Sequence, residues 1–155
     1  MTEASTGAPE PLRDKPGHFL AAAFALIFNE DDDLLVLEEH PDRRKYGWDL
    51  PGGTLSTAEK PVDALRREVL EETGLELVLE SPLCFLKWDW HDSDAPILVA
   101  FYVAWVTGRP AVRVSREHIA HRWLSPNDPD GRTLPVPAEM VERLRQLRNP
   151  HGRLR

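Results

Sequence analysis

The sequence predicts an α/β (α+β) sandwich in which a mixed β-sheet lies between helices, and three observations lead there. Two runs, Phe19–Phe28 and Pro96–Val106, are apolar on both faces, as strands covered on both sides are. One amphipathic segment between them carries helix punctuation at both ends, Pro61 at its start and Gly74 at its stop. Strand patterns and helix patterns are separated along the chain, which a covered mixed sheet accommodates. With 155 residues, 41% hydrophobic and 29% charged, the chain has the size of one ordinary domain, burying roughly 68 to 70% of its unfolded surface.

Taken in order, residues 1–17 are polar and proline-rich without the basic-then-apolar order of a signal peptide, and read as a flexible leader to a domain over 18–148. Phe19–Phe28 is the first strand and Leu34–Glu38 the second, a hairpin-like start. The acidic run Asn29–Asp33 between them lacks the spacing of a calcium loop and reads as a solvated turn. A helix follows over Pro61–Thr73, then strands over Leu75–Leu79, Leu83–His91 and Pro96–Val106. His118–Leu124 is a short strand and Pro137–Leu147 a closing amphipathic helix. Arg143–Arg155 holds five arginines and no acid, and residues 149–155 read as a basic tail.

Composition excludes several function classes. Nineteen basic residues against 26 acidic ones give a net charge of -7, which argues against a surface built to neutralise nucleic-acid phosphates. The single Cys84 rules out an intrachain disulfide framework and a multi-cysteine zinc site, and points to a reducing, cytoplasmic setting with the thiol in the core. The longest apolar run, Phe19–Phe28, is far short of the ~20 residues of a spanning helix.

The chemistry lies between Gly53 and Leu75. At 100° per residue, Val62, Leu65, Val69 and Leu70 fall on one side of the predicted helix, and Glu68, Glu71 and Glu72 on another as an i, i+3, i+4 set. Like charges at that spacing are mutually destabilising, and the last turn is the negative end of the helix dipole. A divalent cation such as Mg²⁺ or Mn²⁺ reverses that balance, because clustered carboxylate oxygens suit it and leave room for substrate phosphates. A solvated acidic helix face is the alternative. Arg67, one turn before Glu71, favours the metal reading, since a guanidinium can hold a carboxylate in a fixed orientation.

Gly53, five residues, Glu59, seven residues, Arg67-Glu68-Val69, one residue, Glu71-Glu72, one residue and Gly74-Leu75 resembles the complete signature box of the Nudix (MutT-like) hydrolases. Seven fixed positions at about 7% each match by chance roughly once in 10⁸ start sites. The lead-in Trp48-Asp49-Leu50-Pro51-Gly52-Gly53 is similar to that of the family as well. The resemblance implies an α/β/α sandwich that hydrolyses a nucleoside diphosphate linked to another group X. It implies Glu68, Glu71, Glu72 and the Gly52 carbonyl as metal ligands, with Mg²⁺ as cofactor and Mn²⁺ as a substitute. Arg67 would orient the cluster, Glu59 would pair with Arg67, and Gly74 would close the helix. Lys60 stands where a Ser or Thr cap is frequent, and Asp63 is expected to supply the capping interaction.

Around the box, Arg43, Arg44 and Lys45 are candidates to meet outer phosphates, or form a solvated basic loop. Trp48 is a candidate to stack on a base, although packing beside the loop is the favoured reading. Trp88, Trp90 and His91 stand open between a substrate wall and core. Glu117, six residues before Trp123, resembles the acidic residue that many family members bring to the metal from a separate loop, as a further ligand or as the general base; a surface glutamate is the alternative. His118 and His121 lack zinc-pair spacing. The implied partner is a small nucleotide, with no membrane, no stable nucleic-acid complex, and either a monomer or a homodimer. A non-catalytic nucleotide-binding module and an RNA 5′-end pyrophosphohydrolase are the competing readings, the first disfavoured by the intact glutamates and the second by the net charge.

Overall fold

The computed structural model describes residues 18–42, 48–79, 82–88, 96–125 and 140. Among these residues seven strands form one mixed sheet: β1 (Leu20–Phe28), β2 (Leu34–Glu39), β3 (Trp48–Asp49), β4 (Gly52–Thr54), β5 (Pro82–Trp88), β6 (Ile97–Trp105) and β7 (His118–Leu124). A helix, α1 (Pro61–Thr73), packs on one face. The main path of the sheet runs β3-β2-β1-β6-β5, with β4 beside β1 and β7 beside β2.

The two doubly apolar runs are neighbours at the centre. β1 and β6 pair in parallel over their full length, from Leu20 opposite Ile97 to Phe28 opposite Trp105. Alternation along β1 then feeds two cores. Ala22, Phe24, Leu26 and Phe28 join Val36, Val99, Phe101 and Met140 on one face, while Ala23, Ala25 and Ile27 join Leu65, Val69, Ala100 and Tyr102 under α1. Met140 is the one described residue of the predicted closing helix; it is helical and fully buried. Among the described residues no helix is long and apolar enough to cross a membrane.

The other edge of β1 is divided, and this division positions the site. β2 meets β1 only at the turn, Phe28 opposite Leu34, and β4 takes the opposite end through Ala22–Phe24 paired with Thr54–Gly52. β2 pairs instead with β3 and β7. A cleft therefore opens between the two branches.

Several expectations need correction. Leu75–Leu79 has strand-like alternation, with Leu75 and Leu79 buried and Val78 exposed, but it joins no ladder. Its leucines pack into the core beneath α1, and Arg66 holds the Leu79 carbonyl at 3.1 Å. The turn at Asn29–Asp33 is not simply solvated. Asn29 is fully buried and its Oδ1 accepts from the amides of Asp31 and Asp33, both at 2.9 Å, while Arg109 reaches the buried Asp33 carboxylate at 2.7 Å. The asparagine side chain substitutes for a strand partner, so the hairpin ends in a built turn. Leu70 is 46% exposed rather than part of the packed stripe. The start of α1 has no side-chain cap, and the Asp63 carboxylate lies 3.8 Å from Arg66.

Candidate active site

α1 ends where the site begins. Gly74 adopts φ 72° and its amide donates to the Leu70 carbonyl, the left-handed stop that a side chain would strain. Two further last-turn carbonyls find partners on the segment before β7: Arg113 N donates to Thr73 O at 2.8 Å and Ser115 N to Glu72 O at 3.2 Å. The helix end is thus tied to the loop that carries Glu117.

On the outer side of α1, Arg67 is a hub. Its Nε and one terminal nitrogen grip the Glu59 carboxylate at 2.9 and 3.1 Å, a bidentate pair, and it also reaches Glu68 at 2.9 Å and Glu71 at 3.3 Å. Ser56 Oγ donates to Glu59 at 3.1 Å. These bonds, the one from Arg67 first, hold the Glu59 carboxyl below its ordinary range, and Arg67 is in turn raised by Glu59 and Glu68.

The inner side is different. Glu72 is 8% exposed and accepts the Gly52 amide at 2.8 Å. Gly52 has φ 141°, and a Cβ there would collide with the Ala23 carbonyl oxygen, so only glycine brings the chain this close to β1. Gly53 lies against the Glu68 carboxyl. A cavity of about 140 Å³ is lined by Phe24, Glu39, Asp49, Gly52, Gly53, Thr54, Glu72, Glu117 and His118. Burial, opposed by the Gly52 hydrogen bond and reinforced by the charges of Glu68, Asp49 and Glu117, pushes the Glu72 carboxyl up to about 8. Burial likewise lifts Asp49 to about 6, against its bond from the Leu50 amide and with the help of Glu39.

The sequence-predicted residues therefore divide. Glu72, Gly52, Gly53 and Glu117 meet at the cavity; Glu68 sits at its edge between Gly53 and Arg67; Glu71 points to Arg67. Trp48 is half-buried against the core with the Arg122 guanidinium 5.0 Å above its ring. Arg43, Arg44, Lys45, Trp90 and His91 lie outside the described residues, as does the Trp88 side chain at the end of β5. Sequence reasoning missed Glu39, Asp49 and His118. Asp49 stood in the quoted lead-in, and its signal was a carboxylate flanked by residues with packing or turn roles.

Among the described residues no three acidic, histidine or cysteine side chains are gathered as a finished metal site. The donor chemistry nevertheless fits a hard divalent cation: four carboxylates line one cavity, and two of them are disfavoured as anions by burial and mutual repulsion. Fold and site together define an α/β protein that brings carboxylates from a helix, two strands and a loop around one glycine-floored cleft.

The sequence profile of the NUDIX domain matches residues 18–146. The chain belongs to the Nudix (MutT-like) hydrolase family. A putative 8-oxo-dGTP diphosphatase of Bacillus subtilis (strain 168) is 26% identical over 108 residues, 70% of this chain and 68% of that protein. The RNA pyrophosphohydrolase of Bartonella clarridgeiae is 45% identical over 49 residues, 32% of this chain and 27% of that protein. The crystal structure of a MutT protein from Methanosarcina mazei Go1 superposes with a TM-score of 0.68 at 25% identity, covering 86% of this chain and 95% of that one.

Proposed function

We propose that this chain is a divalent-cation-dependent pyrophosphohydrolase that cleaves a nucleoside diphosphate linked to another moiety X, by attack of water on phosphorus. The observation that carries the reading is the buried Glu72 carboxylate, held by the Gly52 amide in a cavity that also takes Asp49, Glu39 and Glu117. Folding alone gains nothing from such a group, whereas a cation-binding site needs it.

Glu68, Glu71, Glu72 and the Gly52 carbonyl are the proposed holders of Mg²⁺ or Mn²⁺. When bound, the cation supplies the charge that offsets the diphosphate oxygens and acidifies nearby water. Arg67 fixes the direction of Glu68 through the same guanidinium that grips Glu59. Glu117, on a loop of its own, takes the proton of the attacking water, a contribution typically worth 10² to 10⁴-fold. Water oxygen joins one phosphorus, the bridging P–O bond breaks, and a nucleotide and a phosphorylated X leave.

A small nucleotide is favoured over RNA because the chain carries a net charge of -7. The likeness to a diphosphatase makes nucleoside triphosphates, oxidised ones included, the first substrates to try. The test is a panel of these with nucleotide sugars, ADP-ribose, dinucleoside polyphosphates and 5′-triphosphorylated RNA, with Mg²⁺ or Mn²⁺ and with chelator, products being separated by chromatography. Turnover of a small nucleotide that chelator abolishes is expected; turnover unaffected by chelator, or confined to RNA, would overturn the reading.

A further inference from the structure

The segment leading into β7 contains a residue whose contacts run in two directions. The Ser115 amide donates to the Glu72 carbonyl at 3.2 Å, fastening the segment to the end of α1. The Ser115 side chain faces the other way: Oγ accepts the Glu117 amide at 3.2 Å and lies 3.3 Å from His118 Nδ1. The Ser115 carbonyl accepts the His118 amide at 3.3 Å, closing the turn, and the Glu117 carbonyl accepts the His40 amide at 3.0 Å from the end of β2. Ser115 is half-buried, and Glu72, Glu117 and His118 all line the cavity.

A serine hydroxyl has one proton to give and two lone pairs. With one lone pair taken by the Glu117 amide, the proton or the second lone pair meets His118 Nδ1 according to the imidazole tautomer, so one oxygen holds both cavity-lining residues of the turn. A turn closed by its backbone and braced by a side chain in this way is held more narrowly than one closed by its backbone alone.

We propose that Ser115 is a positioning residue: its hydroxyl holds the Glu117 backbone, and through it the Glu117 carboxylate, relative to Glu72. The inference rests on the reading of Glu117 as the proton acceptor. Ser115 itself is not among the residues that line the cavity; it acts through the turn.

Ser115→Ala removes both side-chain contacts and leaves the amide bond to Glu72 in place. Hydrogen bonds of ordinary net strength put the expected fall in kcat at about three- to tenfold, with KM and the cation concentration for half-activity unchanged. Ser115→Thr restores kcat, since it returns the hydroxyl. In a Glu117→Gln background the alanine change is expected to cost no further turnover. In the cation-free protein the Glu117 amide should exchange hydrogen faster in Ser115→Ala than in the parent, a reading independent of activity. Should the alanine variant not fold, Ser115→Cys keeps the size while weakening both contacts and takes its place. Parental kcat in Ser115→Ala beside a slowed Glu117→Gln overturns the inference alone, as does a loss that multiplies with that of Glu117→Gln. Full kcat in Glu117→Gln overturns the reading of Glu117 itself, and with it the role of Ser115.

Discussion

Glu71 and Glu72 are adjacent on α1 and live in opposite surroundings. Glu71 is largely exposed and paired with Arg67, whereas Glu72 is buried against the Gly52 amide and faces Asp49 and Glu117. A helix turns 100° per residue, so consecutive side chains leave it in different directions. The outer region is an ion-pair hub in which every carboxylate has a cation within reach. The inner region collects carboxylates around a cavity that, among the described residues, no lysine or arginine lines. The first pairs its carboxylates with Arg67; the second buries carboxylates and crowds them together, which raises Glu72 and Asp49.

The largest expected effect comes from breaking the inner region at its centre. Glu72→Gln keeps the shape and an oxygen for the Gly52 amide but removes the charge. Partners one bond removed from a metal are worth about 10 to 100-fold, so on the proposal that Glu72 is a ligand its loss should lower turnover by at least ~100-fold at limiting Mg²⁺. The cation-free variant should be no less stable than the parent at pH 8, because the lost charge was buried. Steady-state kinetics across Mg²⁺ concentrations and a urea titration check both halves.

Arg67→Ala breaks the outer region instead. Turnover should fall by about 10 to 100-fold, while the exposed ion pairs it removes should cost little stability. Arg67→Lys keeps the charge but loses the fork that grips both Glu59 oxygens, and should recover only part of the activity. Parental kinetics with a collapsed melting temperature would make Arg67 a structural residue.

These two regions also mark what the sequence could reveal. The helix, its glycine stop and the doubly apolar strands follow from spacing over short distances, whereas the pairing of Arg67 with Glu59 is implied by the family resemblance; each is present. Leu75–Leu79 misled because alternation reports one buried side and not a ladder; those leucines face the core without a strand partner. Leu70 misled, exposed where the packed stripe was expected, because which arc of α1 faces inward depends on where β4 and the loop before β7 come to rest. Asp49, Glu39 and His118 reach the cavity through β2, β3 and β7, a register that local patterning does not encode.

Titration should separate the regions by sign. Glu72 and Asp49 have folded-state values raised above their unfolded ones, to about 8 and about 6, so the folded chain holds more protons than the unfolded chain across that window. Stability of the cation-free protein therefore falls as pH rises from about 5 to 8. Glu59 is shifted the other way, and its contribution is present above its unfolded value and lost as pH falls through the folded one. Urea midpoints of chelated protein at constant ionic strength should decline from pH 5 to 8, and Glu72→Gln should flatten that decline. Added Mg²⁺ should restore more stability at pH 8 than at pH 5. A midpoint that rises over the interval would contradict the assignment of Glu72 as the strained group.

The smallest effect belongs to Glu71, and it decides how separate the two regions are. Its pair with Arg67 is exposed, has the arginine on the N-terminal side, the less favourable order for an i, i+4 pair, and lies at the negative end of the helix dipole. Glu71→Gln should therefore change the stability of the cation-free protein by less than about 0.5 kcal/mol. With the side chain turned toward Arg67, the Mg²⁺ concentration for half-activity should shift less than in Glu72→Gln. An equal shift would mean that Glu71 leaves Arg67 for the cation, which would join the hub to the cavity and make the division between them a feature of the cation-free protein alone.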